Sequence, residues 1–123
     1  FVECEMGNDL EACRRPIKEH MALYIGGMGA RDKNFYNDYC KMLGYEDAAV
    51  EIQDKFLGRD RAGAADAVPD SLVDEVALVG PRERIRERLV DWKYAAKDRK
   101  IDTMLLRGTT SVDAIRMMAE EVL

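Results

Sequence analysis

Two short stretches hold the residues whose types and spacing could do chemistry. The first is Tyr24-Ile25-Gly26-Gly27-Met28-Gly29-Ala30-Arg31. Each glycine costs a helix interior about 1 kcal/mol against Ala. A chain that keeps three so close together needs a backbone of positive φ, or the close approach of another group. Two readings follow: a corner between helices, or a backbone surface that faces a ligand, with Gly26, Gly27 and Arg31 lining it. It is no phosphate loop, because the GxxxxGK[ST] spacing is missing and a helical pattern, not a strand, precedes it. The second stretch is Arg107-Gly108-Thr109, which follows a near-continuous apolar run, Ile101 to Leu106. The loop beyond a buried strand is where α/β folds place ligands. An arginine there can grip an anion with both arms of its fork, or simply reach solvent.

The remaining reactive side chains form no constellation. His20 lies one residue off an apolar stripe, and no partner can be named that would orient it as a general base. Cys4, Cys13 and Cys40 lack CxxC spacing, and with one histidine they do not make a structural zinc site. Three free thiols point to a reducing, cytoplasmic compartment. The carboxylates alternate with Arg and Lys at helical spacing, as on solvated faces, and the methionines suit core filling. Neither a catalytic residue nor a metal site emerges.

The elements that must position the two stretches follow from periodicity. Phe1-Val2-Glu3-Cys4-Glu5-Met6 alternates like a strand. Its predicted partner is Ile101 to Leu106, a run of the kind buried on both faces in parallel sheets. Leu10, Cys13, Ile17, Met21 and Tyr24 recur at helical spacing; Asn8 and Glu11 suit a capping box, Pro16 should kink or restart the helix, and Gly26-Gly27 ends it. Asn34 caps a second helix whose inward stripe is Phe35 or Tyr36, Tyr39, Met42 and Leu43, with Gly44 as its stop. A third helix buries Ala48, Ala49, Ile52 and Phe56 and ends at Gly58. Asp60 caps a short fourth, which Pro69 closes.

Pro69 to Val79 reads as helix running into an extended end. Gly80-Pro81 is sharp punctuation, with Pro81 placed at the first helical position. Ile85, Leu89, Trp92 and Ala96 form the next buried stripe. Thr110 or Ser111 caps a last helix carrying Val112, Ile115, Met118, Ala119 and Val122. Helix, buried strand, polar loop, helix is the pattern of a β/α barrel or a doubly wound sheet.

Composition narrows the partners. Hydrophobic residues make up 47% and charged residues 35%, as in a folded domain. The net charge of −5 argues against nucleic acid or an anionic membrane surface as the main partner, and no apolar run approaches a membrane span.

Taken in order, Arg15-Pro16, Ala22 to Arg31, Asn34-Phe35-Tyr36-Asn37, Gly44-Tyr45, Ile52-Gln53, Val68-Pro69-Asp70, Leu78-Val79-Gly80-Pro81, Ile85-Arg86, Trp92 and Thr103 to Leu106 resemble the C-terminal third of luciferase-like monooxygenases. Within that superfamily they look like the deazaflavin (coenzyme F420)-dependent oxidoreductases. The resemblance implies an α/β chain, the C-terminal fragment of a (β/α)8 TIM barrel. It would be mostly helical, with about two short parallel strands: the last two β/α units, and a helical insertion at about 31–68. It implies F420, or alternatively FMN, as cofactor, a small organic molecule as substrate, and hydride transfer between them. It places Gly26, Gly27, Arg31, Arg107, Gly108 and Thr109 near the mouth of that site. Asp98-Arg99-Lys100 departs from the glycine-containing turn usual before the last strand. Two strands with open edges cannot close, so the isolated fragment should be inactive and should self-associate as a homo-oligomer. A non-catalytic helical interaction module is the alternative.

Overall fold

A computed structural model describes residues 1–108 and 111–123. It divides into a unit made of Phe1–Arg14 and Val76–Leu123, and a second made of Arg15–Glu75.

The first unit is built on a parallel sheet. Strand β1 (Val2–Met6) alternates as its sequence demands: Val2 and Cys4 are buried, whereas Glu3 and Glu5 are half-buried on the opposite face. Strand β2 (Ala77–Gly80) pairs with β1 in parallel, with Glu3 opposite Ala77 and Glu5 opposite Val79. Strand β3 (Leu106–Arg107) pairs on the other side, with Val2 opposite Leu106 and Glu3 opposite Arg107. The order is therefore β2-β1-β3. Helix α6 (Arg82–Lys97) contributes Ile85 and Leu89, and helix α7 (Val112–Val122) contributes Met117 and Met118, to one apolar cluster with Val2, Cys4 and Leu78.

Four expectations change here. The sheet has three strands rather than about two, because Ala77 to Gly80 forms a full β1 partner. The run from Ile101 is not a buried strand: only Leu106 and Arg107 pair, and Leu105 is half exposed. Two-sided burial needs a layer packed against each face of the sheet, and half-exposed Leu105 lacks that cover. In α7, Val112 and Ile115 face solvent while Ala114, Met117 and Met118 are inside, so the buried stripe is turned from the one predicted. Pro81 stands at the N-cap, one position earlier than expected.

In the second unit α1 (Leu10–Gly27), whose first residues belong to the sheet unit, passes through Pro16 without a break. Its cap is Asp9, whose Oδ1 accepts from the Ala12 N–H at 3.1 Å, not Asn8. Then come α2 (Phe35–Met42), α3 (Glu46–Leu57), α4 (Arg61–Asp66) and α5 (Asp70–Val76), which runs directly into β2. Asn34 and Asp60 cap as predicted, accepting from the N–H groups of Asn37 and Gly63. Gly44, at φ +94°, closes α2 with a pair of bonds: its own N–H reaches the Lys41 carbonyl and the Tyr45 N–H reaches that of Cys40. After α3 the left-handed residue is Arg59, at φ +65°, and not Gly58. In α2 the predicted inward stripe points outward. Phe35, Tyr36, Tyr39 and Met42 are exposed, and the buried residues are Asn37 and Cys40. The polar groups are inside because they bond to neighbouring backbone.

Candidate functional site

The sequence-predicted residues fall in both units. Gly26, Gly27 and Arg31 are in the helical unit, Arg107 and Gly108 are in the sheet unit, and Thr109 lies outside the described residues.

In the helical unit the glycines admit a neighbouring helix. A Cβ on Gly26 would lie 2.5 Å from the Phe56 Cβ, and one on Gly27 would lie 2.3 Å from the Phe56 ring. Any side chain there would expel Phe56. Arg31 pairs with Asp54, two residues before Phe56 on α3. The corner that follows is fixed by two asparagines. Asn34 Nδ2 donates to the Tyr24 and Ile25 carbonyls, both at 3.0 Å, and Asn37 Nδ2 donates to the carbonyls of Ile25 at 3.1 Å and Ala49 at 2.8 Å. The last carbonyls of a helix have no intrahelical partner; here two side chains from the next helix supply donors. His20 lies against Tyr24, ring centroids 4.6 Å apart.

In the sheet unit the predicted loop meets groups that were not predicted. Glu3, Glu5 and Arg107 share the sheet face opposite the apolar cluster, since Arg107 stands in register with Glu3. Arg107 Nε is 3.9 Å from Glu3 Oε1. Gly108, at φ +91°, brings its backbone beside both carboxylates: a Cβ there would be 3.1 Å from Glu5 Oε1 and 3.5 Å from Glu3 Oε2. Burial, and then the negative charge of Glu3, hold the Glu5 carboxyl above the usual carboxylate range. The signal that could have found this pair is the alternation of β1 itself, whose polar positions all fall on one face.

At the C-terminal end of β1 the Gly7 N–H bonds the Gly80 carbonyl at 3.0 Å. Gly80 takes φ +106°, a conformation that Ala would resist. Cys13 is buried beside this turn. Burial pushes the Cys4 thiol up to about 11 and raises Cys13 and Cys40 as well. These thiols are poor nucleophiles at neutral pH. Among the described residues no group of three metal-ligating side chains gathers, and no helix is long and apolar enough to cross a membrane.

Parallel strands, each followed by helix, with polar side chains on the sheet face away from the helices, define an α/β class that carries its ligands on strand ends and the loops beyond them. Luciferase-like monooxygenase is the family that matches, over residues 1–99. A Mycobacterium tuberculosis protein provisionally named a coenzyme F420-dependent oxidoreductase is 32% identical over 112 residues, which cover 91% of this chain and 31% of that protein. The chain thus spans about a third of the length of the curated relative it matches. No solved structure matches it. The chain belongs to the luciferase-like monooxygenase family of oxidoreductases.

Proposed function

We propose that this chain is the C-terminal part of an F420-dependent oxidoreductase that transfers hydride between the deazaflavin and a small organic substrate, and that it is inactive by itself. The observation that carries the reading is the 32% identity, sustained over 112 residues, with a relative named for that cofactor. The fold supports it, because the chain supplies three parallel strands and helices α6 and α7 after the second and third, whereas a closed barrel takes eight strands and about 250 residues.

The residues present do not form a complete cradle for an anionic deazaflavin cofactor. On the open sheet face Arg107 stands opposite Glu3, with Glu5 beside them, so carboxylates outnumber the cation. The described strand ends carry no phosphate-binding glycine loop. Most of the cofactor's contacts must come from other β/α units, and no chemical step is derived from this chain alone. Its own contribution is the polar edge of the mouth: Arg107 and the Gly108 backbone, with the Glu5 carboxyl beside them. Gly26 and Gly27 seat Phe56 within the helical unit.

The test is fluorescence titration with F420, and in parallel with FMN, of two proteins: the 123-residue chain, and the longer polypeptide encoded together with it. The proposal expects no saturable signal from the short chain, and tight F420 binding with weaker FMN binding by the long one. Tight FMN binding alone would move the protein to the flavin branch of the family. A long polypeptide that binds neither would contradict the reading.

A further inference from the structure

The feature left unused by this reading is the outward face of α2. Phe35 is 73% exposed, Met42 82% and Tyr39 50%, while Asn37 on the same helix is fully buried. The rings are already ordered. Phe35 and Tyr39 lie parallel, 2° apart in plane with centroids at 6.2 Å, and Tyr36 meets both Phe35 and Tyr24 edge-on at 5.5 and 4.7 Å. Contiguous exposed aromatic surface of this kind marks an interaction site more often than a solvated face. Ordered aromatic side chains also lose little conformational freedom when covered, which is why they anchor interfaces.

We infer that this aromatic face is the docking surface for the remaining β/α units of the same polypeptide, and not for a second copy of the chain. The inference rests on the proposed function above, since it takes the chain to be part of a longer barrel. One observation and one general argument select the occupant. The relative is matched over 31% of its length while 91% of this chain is matched, so about two thirds of such a protein lies outside these residues. A segment joined to the same chain competes at an effective concentration that a separate copy reaches only in concentrated solution. The tyrosines suit such an occupant, because a ring buries apolar area while its hydroxyl meets the polar groups of strand-end loops.

The experiment is hydroxyl-radical footprinting of Tyr36, Tyr39 and Met42, read by mass spectrometry, on the 123-residue chain and on the longer polypeptide, each at a low and a high protein concentration. The expected result is a severalfold lower oxidation rate for all three side chains in the long protein at both concentrations. Protection that appears in the short chain and rises with concentration would overturn the inference in favour of a second copy. Equal oxidation in both proteins would overturn it outright, as would an initiator Met directly ahead of Phe1. If the long protein binds F420 yet leaves the three side chains unprotected, the docking inference fails while the proposed function stands. Tyr39→Ser in the long protein supplies a second arm. It should raise Met42 oxidation severalfold without changing that of the buried Met117, and no change at Met42 would count against the inference.

Discussion

The two units are held together by different means. In the helical unit, polar side chains fasten backbone. Asn34 and Asn37 tie down the last carbonyls of α1, Asn34, Asp60 and the Gly44 turn seal short helices, and two glycines let Phe56 reach the α1 backbone. In the sheet unit an apolar cluster of Val2, Cys4, Leu78, Ile85, Leu89, Met117 and Met118 provides cohesion, yet β2 and β3 each have a single strand neighbour among the described residues. The helical unit thus ties its helix ends with its own side chains, though Asn37 Oδ1 and Gln53 Nε2 are buried there without a partner among the described residues, while the sheet is left with edges that pair readily with other chains. A sheet with open edges calls for further strands.

The largest effects should come from striking each mode of cohesion in turn. Asn37→Ala removes one donor from each of the Ile25 and Ala49 carbonyls, Ile25 keeping the one from Asn34, and should cost about 3 kcal/mol in urea unfolding. Leu89→Ala in the sheet unit should cost a similar amount, about 3 kcal/mol, through the cavity it leaves. If Asn37→Ala proves neutral, the polar-lock account of the helical unit fails. Gly27→Val comes next, at about 2 kcal/mol, since its side chain would overlap the Phe56 ring. Restoring part of that loss with Phe56→Ala in the same chain would confirm the contact as the cause.

A smaller effect has the opposite sign. Arg99 closes α6 in the left-handed region at φ +56°, and the Lys100 N–H bonds the Ala95 carbonyl at 2.8 Å. Arg99→Gly should therefore stabilise the sheet unit by about 1 kcal/mol, seen as a higher urea midpoint. The smallest concerns Glu5. Its folded carboxyl titrates above its unfolded value, so its contribution to stability is present at low pH and is lost as the pH rises through the folded pKa. Glu121, held low by the Arg86 guanidinium, acts in the opposite sense, losing its contribution as the pH falls. The stability difference between Glu5→Gln and the parent chain should thus shift in favour of the variant as the pH rises through the titration of Glu5.

Much of this organisation was legible in the residues. The caps at Asn34 and Asp60, the stop at Gly44, the helix running into an extended end before Gly80 and the stripe of Ile85 and Leu89 were all set by local chemistry, which sequence reports well. The misreadings share a cause: each depended on what lies alongside. Phe35, Tyr39 and Met42 recur at helical spacing, and spacing shows that they share a face without showing which way it points. Asn37 is inside because the carbonyls of α1 and α3 are there to meet it, and those come from distant positions in the chain. Ile101 to Leu106 has the composition of a buried strand, but pairing depends on neighbours. At the candidate site, Arg107 and Gly108 were visible as a loop after an apolar run. Their partners Glu3 and Glu5 appeared only with the parallel register that aligns Arg107 with Glu3.

The claim that this sheet is a portion of a larger one is tested most directly by amide hydrogen exchange on the short chain and on the long polypeptide. The account predicts that the amides of Ala77 to Gly80 and of Leu105 to Arg107 exchange severalfold more slowly in the long protein, as new strands cover both edges, while those at the centre of α3 change little. Equal exchange at these edges in the two proteins would contradict it.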